Sequence, residues 1–139
     1  MKEIQTGASL ELIEEVTPSK CASAVGSGLL DVYSTPSMIA LMEKTCYQCL
    51  EQFLDDHESS VGGEVNIRHL KPTAIGQTVR CTAVITATIE NKVTFEVRVF
   101  EKDVLIGKGT HTRFVIDKEA FKKVISTRKT LLEKQTVIF

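Results

Sequence analysis

The sequence predicts an α+β roll, in which a single long helix is wrapped by a curved antiparallel sheet and a short helix follows the last strand. Three observations lead there. One segment, residues 36–54, carries apolar side chains at helical spacing over more than half its circumference. From residue 60 onward the period changes to two and stays there through four successive strands. A helix that is apolar nearly all round needs a sheet curved about it, which an antiparallel sheet with a buried concave face supplies.

Each element follows in order. Residues 8–16, ASLELIEEV, place Leu10, Leu12 and Val16 on one parity and read as a first strand that Thr17 and Pro18 interrupt. Residues 21–25 read as a short second strand. In GSGLLDVYSTPSMIALMEKTC, glycines give way to Ser34-Thr35-Pro36, the pattern of an N-cap followed by proline at the start of a helix. Lys44, Gln48, Glu51 and Asp55 form its one narrow polar stripe, so the rest is expected to be buried. Residues 60–70, 77–89, 93–99 and 104–116 are the four strands, with turns at Glu90-Asn91-Lys92 and Lys102-Asp103, and the last three form a meander. Asp117 caps the closing helix, KEAFKKVISTRKTLLEK.

Length and charge narrow the function. The 139 residues fit one domain, 1–139, and 17 basic side chains balance 18 acidic ones, which argues against nucleic acid and acidic membrane surfaces as partners. No run approaches the ~20 apolar residues of a membrane span, and a cytoplasmic location is expected. Cys21, Cys46, Cys49 and Cys81 fall inside apolar patterns, as reduced core thiols do. Cys46-Tyr47-Gln48-Cys49 matches C-x-x-C but lies deep in the helix, away from the N-terminus that lowers the thiol pKa in redox pairs. His57, His69 and His111 lack metal-ligand spacing, so no metal is expected, and the GSGLLD and GKGT glycines lack the setting of a phosphate loop. An open sheet edge and an incompletely covered helix point to a homodimer.

Three side chains depart from the packing pattern. Glu43 has Ile39, Cys46 and Leu50 as helical neighbours, so it either snorkels beside Lys44 into water or, with a partner nearby, serves as a base or nucleophile. His69 shares strand parity with Val65 and Ile67 in VGGEVNIRHLKPTAIG; it is either a satisfied core histidine or a partner of Glu43 across the helix-sheet boundary. Thr35 reads as the helix cap, yet a helix start also gathers unpaired N–H donors suited to a carbonyl oxygen.

Taken together, STPSMIALMEKTC opening the helix, VGGEVNIRHLKPTAIGQTV entering the sheet and the late GKGTHTR strand resemble the hot dog fold, and within it the fluoroacetyl-CoA thioesterase family, over about residues 6–125. The resemblance implies hydrolysis of an acyl-CoA thioester without a cofactor and a catalytic constellation of Thr35, Glu43 and His69. It further implies that Glu43 activates water or attacks the carbonyl, that His69 transfers a proton or stabilises charge, and that Thr35 positions the acyl group or acts as nucleophile. Gly62 lets a backbone N–H approach the carbonyl oxygen, a bulge being the alternative explanation. Arg68, Lys71, Arg80 and Arg113 are candidates for the CoA phosphates, with Arg68 taken as substrate-binding. The family's lid phenylalanines are replaced by Leu29, Leu30 and Tyr33, which argues against fluoroacetyl selectivity and for another short or medium acyl-CoA, with Leu29 beside it. A non-catalytic acyl-CoA-binding or structural hot dog module is the competing reading; a hydratase is disfavoured because Asp31 has no histidine near it.

Overall fold

The computed structural model describes residues 1–138. Strand β1 (Ser9–Glu15) leads through a turn at Pro18–Lys20 into α1 (Ala22–Val25), then the long helix α2 (Thr35–Glu51). Strands β2 (Glu58–His69), β3 (Thr78–Ile89), β4 (Lys92–Glu101) and β5 (Val104–Asp117) follow, and α3 (Lys118–Ile138) closes the chain. The sheet order is β1-β3-β4-β5-β2, antiparallel throughout. The β3-β4-β5 meander carries the chain back beside β2, so the earlier strand ends at an edge of the sheet.

The core lies between α2 and the concave face. Met38, Met42, Cys46 and Leu50 from the helix pack with Ile85, Phe95 and Val97 from the strands, all at most 1% exposed. Inward side chains alternate as buried from Val79 to Ile85 in β3 and from Val93 to Val99 in β4; beyond each run a bulge breaks the alternation, and Ile89 is 67% exposed. All four cysteines are buried free thiols; Cys46, Cys49 and Cys81 lie inside this core, and Cys21 lies outside it beside Ser23 and Asp31.

Four local expectations are corrected. Residues 21–25 form one helical turn rather than a strand: the alanine-rich CASAV favours helix, and Gly26 ends it in the left-handed conformation at φ 81°. Cys21 keeps only an isolated bridge to Tyr33. The cap of α2 is Ser34, whose Oγ accepts from the Ser37 N–H at 3.1 Å, not Thr35. Helix α2 stops at Glu51, and α3 is longer than the motif led us to expect. Asp117 does cap α3, its Oδ1 accepting from the Ala120 N–H at 3.0 Å. Among the described residues no helix is long and apolar enough to cross a membrane.

Candidate active site

With Ser34 taking the cap, Thr35 is the first residue of α2 and its hydroxyl is released from backbone duty. Its Oγ1 lies 2.8 Å from Nδ1 of His69, the last residue of β2. Tyr33 buttresses the imidazole edge-on, its ring 6.5 Å away, and is itself fixed by donating its hydroxyl proton to Glu14 Oε2 at 2.7 Å. Burial holds the His69 pKa below the usual imidazole value, with the nearby Lys71 backbone opposing the shift. The ring is therefore neutral at pH 7, and its Nε2 is buried without a hydrogen-bond partner. With the ring proton on Nε2, Nδ1 accepts from the Thr35 hydroxyl, the geometry of a general base on a nucleophile. The two residues border a cleft of about 350 Å³, with Val32, Leu70 and Pro72 among its walls.

Glu43 stands two turns further along α2, about 12 Å of helical rise from Thr35. Within the chain it does not meet His69. Its Oε2 accepts from Arg113 Nη1 at 3.4 Å and lies 3.8 Å from His111 Nε2. Arg113 is nearly buried and anchored from below: its Nε–H donates to Ser60 Oγ at 2.8 Å and an Nη2–H to the Ser60 carbonyl at 3.1 Å. His111 Nδ1 lies 2.8 Å from the Glu64 carbonyl and Nε2 lies 3.1 Å from Arg113 Nη1. An Nδ1–H donating to that carbonyl leaves Nε2 as the acceptor, so the ring is neutral; burial first, and the Arg113 charge after it, lower its pKa. The Glu43 side chain remains 40% exposed and faces a second cleft that Gly62, Gly63 and Val65 also line.

The bulge that β2 makes between Gly62 and Glu64 serves this second cleft. A Cβ on Gly62 would stand 2.8 Å from Glu43 Oε2, and one on Gly63 would overlap the Phe114 ring. Any side chain at position 62 would displace the Glu43 carboxylate from the place it holds beside Gly62.

The other candidates fall elsewhere. Leu29 is 95% exposed on the loop before α2 and is not among the residues lining the Thr35 cleft. Arg68 points to the convex face, opposite to His69. Arg113 lies under Glu43 rather than at the surface, which removes it from the candidates for the CoA phosphates. Pattern reasoning passed over the Arg113-His111 support, although the alternation of His111, Arg113 and Val115 on one parity was the signal that both turn inward. Asp55, His57 and Glu58 bring ligand atoms within 4.8 Å of one another, but the Met1 ammonium lies 2.7 Å from Asp55 and 3.0 Å from Glu58 and engages both carboxylates.

A curved five-stranded sheet about one helix, with a threonine-histidine pair at the helix start and a carboxylate two turns on, defines a hot dog thioesterase. The family model of the fluoroacetyl-CoA-specific thioesterase FlK matches residues 16–119, and the chain belongs to that family of thioester hydrolases. It superposes on the fluoroacetyl-CoA thioesterase FlK with a TM-score of 0.85 at 25% identity, over 91% of this chain and 98% of that one. A variant of FlK in complex with fluoroacetate and CoA aligns at 27% identity over 85% and 99% of the two chains, with a TM-score of 0.80. A hypothetical protein of Thermus thermophilus, a thioesterase superfamily member, is similar at 27% identity over 96% and 99%, with a TM-score of 0.90. No curated protein sequence matches.

Proposed function

We infer that the protein is a cytoplasmic acyl-CoA thioesterase that hydrolyses a short or medium acyl-CoA to the free acid and CoA, and that it works as a homodimer. The observation that carries the reading is the Thr35 hydroxyl held 2.8 Å from a neutral, desolvated imidazole. Thr35 Oγ1 attacks the thioester carbonyl as His69 Nδ1 takes its proton; the C–S bond breaks and the imidazolium returns that proton to the departing CoA sulfur. Glu43 then takes a proton from a water molecule that attacks the acyl-threonine ester; the ester C–O bond breaks, and Glu43 returns that proton to the departing Thr35 oxygen, releasing the acid and restoring the hydroxyl. Gly63, left out of the ladder by the bulge, offers its N–H to the developing oxyanion.

The dimer follows from the separation of the two clefts. Among the described residues strand β2 bonds only to β5, so its outer edge is open, and Val65 near its centre is 40% exposed. An antiparallel pairing of two such edges, centred on Val65 or Asn66, keeps inward faces inward and sets His69 against segment 61–63 of the second copy. Thr35 and His69 of one protomer then face the partner's Glu43, and two half-sites become two complete ones. The Leu29-Leu30 loop supplies aliphatic cover for the acyl group.

Complementation tests function and assembly together. Glu43→Gln and His69→Ala are each expected to lower kcat/KM on a panel of acyl-CoAs by about 10²–10⁴-fold. Mixed one to one and refolded, they should recover about a quarter of wild-type activity, because half the dimers are mixed and each of these holds one intact site. Recovery of nothing argues against a shared site. Acyl-CoA binding by the wild type without release of CoA would make the protein a binding module instead.

A further inference from the structure

Directly opposite residues in an antiparallel sheet share a face and stand ~5 Å apart at Cβ. On the convex face Arg68 pairs with Lys108, and Lys108 with Arg98, so three cations form one row across β2, β5 and β4. Like charges set opposite one another weaken a sheet. The adjacent row, Asn66, Thr110 and Glu96, brings one carboxylate, which Arg98 Nη2 takes at 2.9 Å. Among the described residues neither Arg68 nor Lys108 has an ion-pair partner, and the patch keeps a surplus of two positive charges. These side chains border an open depression of about 510 Å³, with Thr86 on its far rim.

We propose that this row is a phosphate-binding site for a nucleotide-sized ligand. Two guanidinium groups and an ammonium suit phosphate oxygens, and a surplus of two matches the charge of a phosphate dianion. Asn66, Thr86 and Thr110 add neutral hydrogen-bonding groups around it, and the depression has the size of a small-ligand site rather than of a bare anion. Two sources share this chemistry. The nucleotide end of the thioester substrate is one, since Arg68 directly precedes His69 and β2 ends there, which lets a ligand bend round the strand end past the exposed Leu70 and Lys71. A separate phosphorylated effector is the other. Only the first source rests on the thioesterase reading above.

Two measurements on the full-length protein decide it. Adenosine 3′,5′-bisphosphate and inorganic phosphate are titrated into the wild type, Lys108→Ala and Arg98→Ala, following the Gly109 and Thr110 amide signals by NMR. The bisphosphate is expected to shift both signals, each substitution to weaken its binding about tenfold, and added salt to weaken it further. Thermal melting should show no loss of stability in Lys108→Ala, because a like-charge neighbour is removed. The ratio of kcat/KM for an acyl-CoA to that for the same acyl group on N-acetylcysteamine is then compared. A tenfold fall of this ratio in the variants supports the substrate's own nucleotide as ligand; an unchanged ratio with lost bisphosphate binding supports a separate effector. Wild-type protein that shows no shift at Gly109 and Thr110, or variants that bind as the wild type does, overturn the site. If neither thioester is turned over, the enzymatic reading fails while the titration still decides the site.

Discussion

At the residue scale the site depends on which side chain takes each backbone obligation. Ser34 satisfies the Ser37 N–H, and that single exchange frees Thr35 to meet His69. The same logic sets the pH response. His69 and His111 both have pKa values lowered by burial, so above the unfolded value of about 6.5 neither state carries their protons. As pH falls below that value, the unfolded chain binds protons that the folded protein refuses, and stability is lost until the lowered folded pKa values are passed. Thermal melting between pH 8 and 5 should therefore show Tm falling below about pH 6.5, and His111→Gln should flatten the slope. A wild-type Tm that rises over that acidic range would contradict the assigned neutral rings.

At the element scale the strands follow their alternation, while two turns are made by residues ill suited to them. Glu90 and Lys102 adopt φ of 56° and 52° in the two-residue connections of the β3-β4 and β4-β5 hairpins. A left-handed conformation costs a residue with a Cβ about 1–2 kcal/mol, partly offset by the lower chain entropy it brings to the unfolded state. Lys102→Gly is expected to stabilise the protein by roughly 0.5–1 kcal/mol, read as a higher urea midpoint at unchanged m-value. An unchanged or lower midpoint would show that the hairpin bears no such strain. Helix α2 shows the complementary case. Its buried face and its exposed Lys44 and Glu51 were legible from periodicity, but its capping residue was not, because Ser34 and Thr35 are chemically equivalent caps one residue apart.

At the scale of the whole molecule, the two clefts lie about two helical turns apart, Thr35 at the start of α2 beside the end of β2 and Glu43 at the middle of α2 beside the middle of β2. Val65→Glu places a carboxylate on the open β2 edge, where it costs the protomer little because Val65 is already 40% exposed. In a dimer built on that edge the two substituted positions meet near the centre. Sedimentation should give a monomer with near wild-type melting and kcat/KM lowered by at least about 10²-fold. A fully active monomer would refute the shared site.

The sequence by itself determined the roll, its first strand and last four strands and the inward parity of His69, because period, proline and glycine act locally and survive without knowledge of the fold; the grouping of Thr35, Glu43 and His69 came from the family resemblance. Tertiary structure decided which of these side chains meet. Thr35 and His69 lie 34 positions apart and touch, whereas Glu43 and Arg113 meet across 70 positions, and such distances are set by strand order and register. The row of Arg68, Lys108 and Arg98 has the same origin. Each of these cations is an ordinary surface residue along the chain, and only the pairing of β2, β5 and β4 brings their charges side by side.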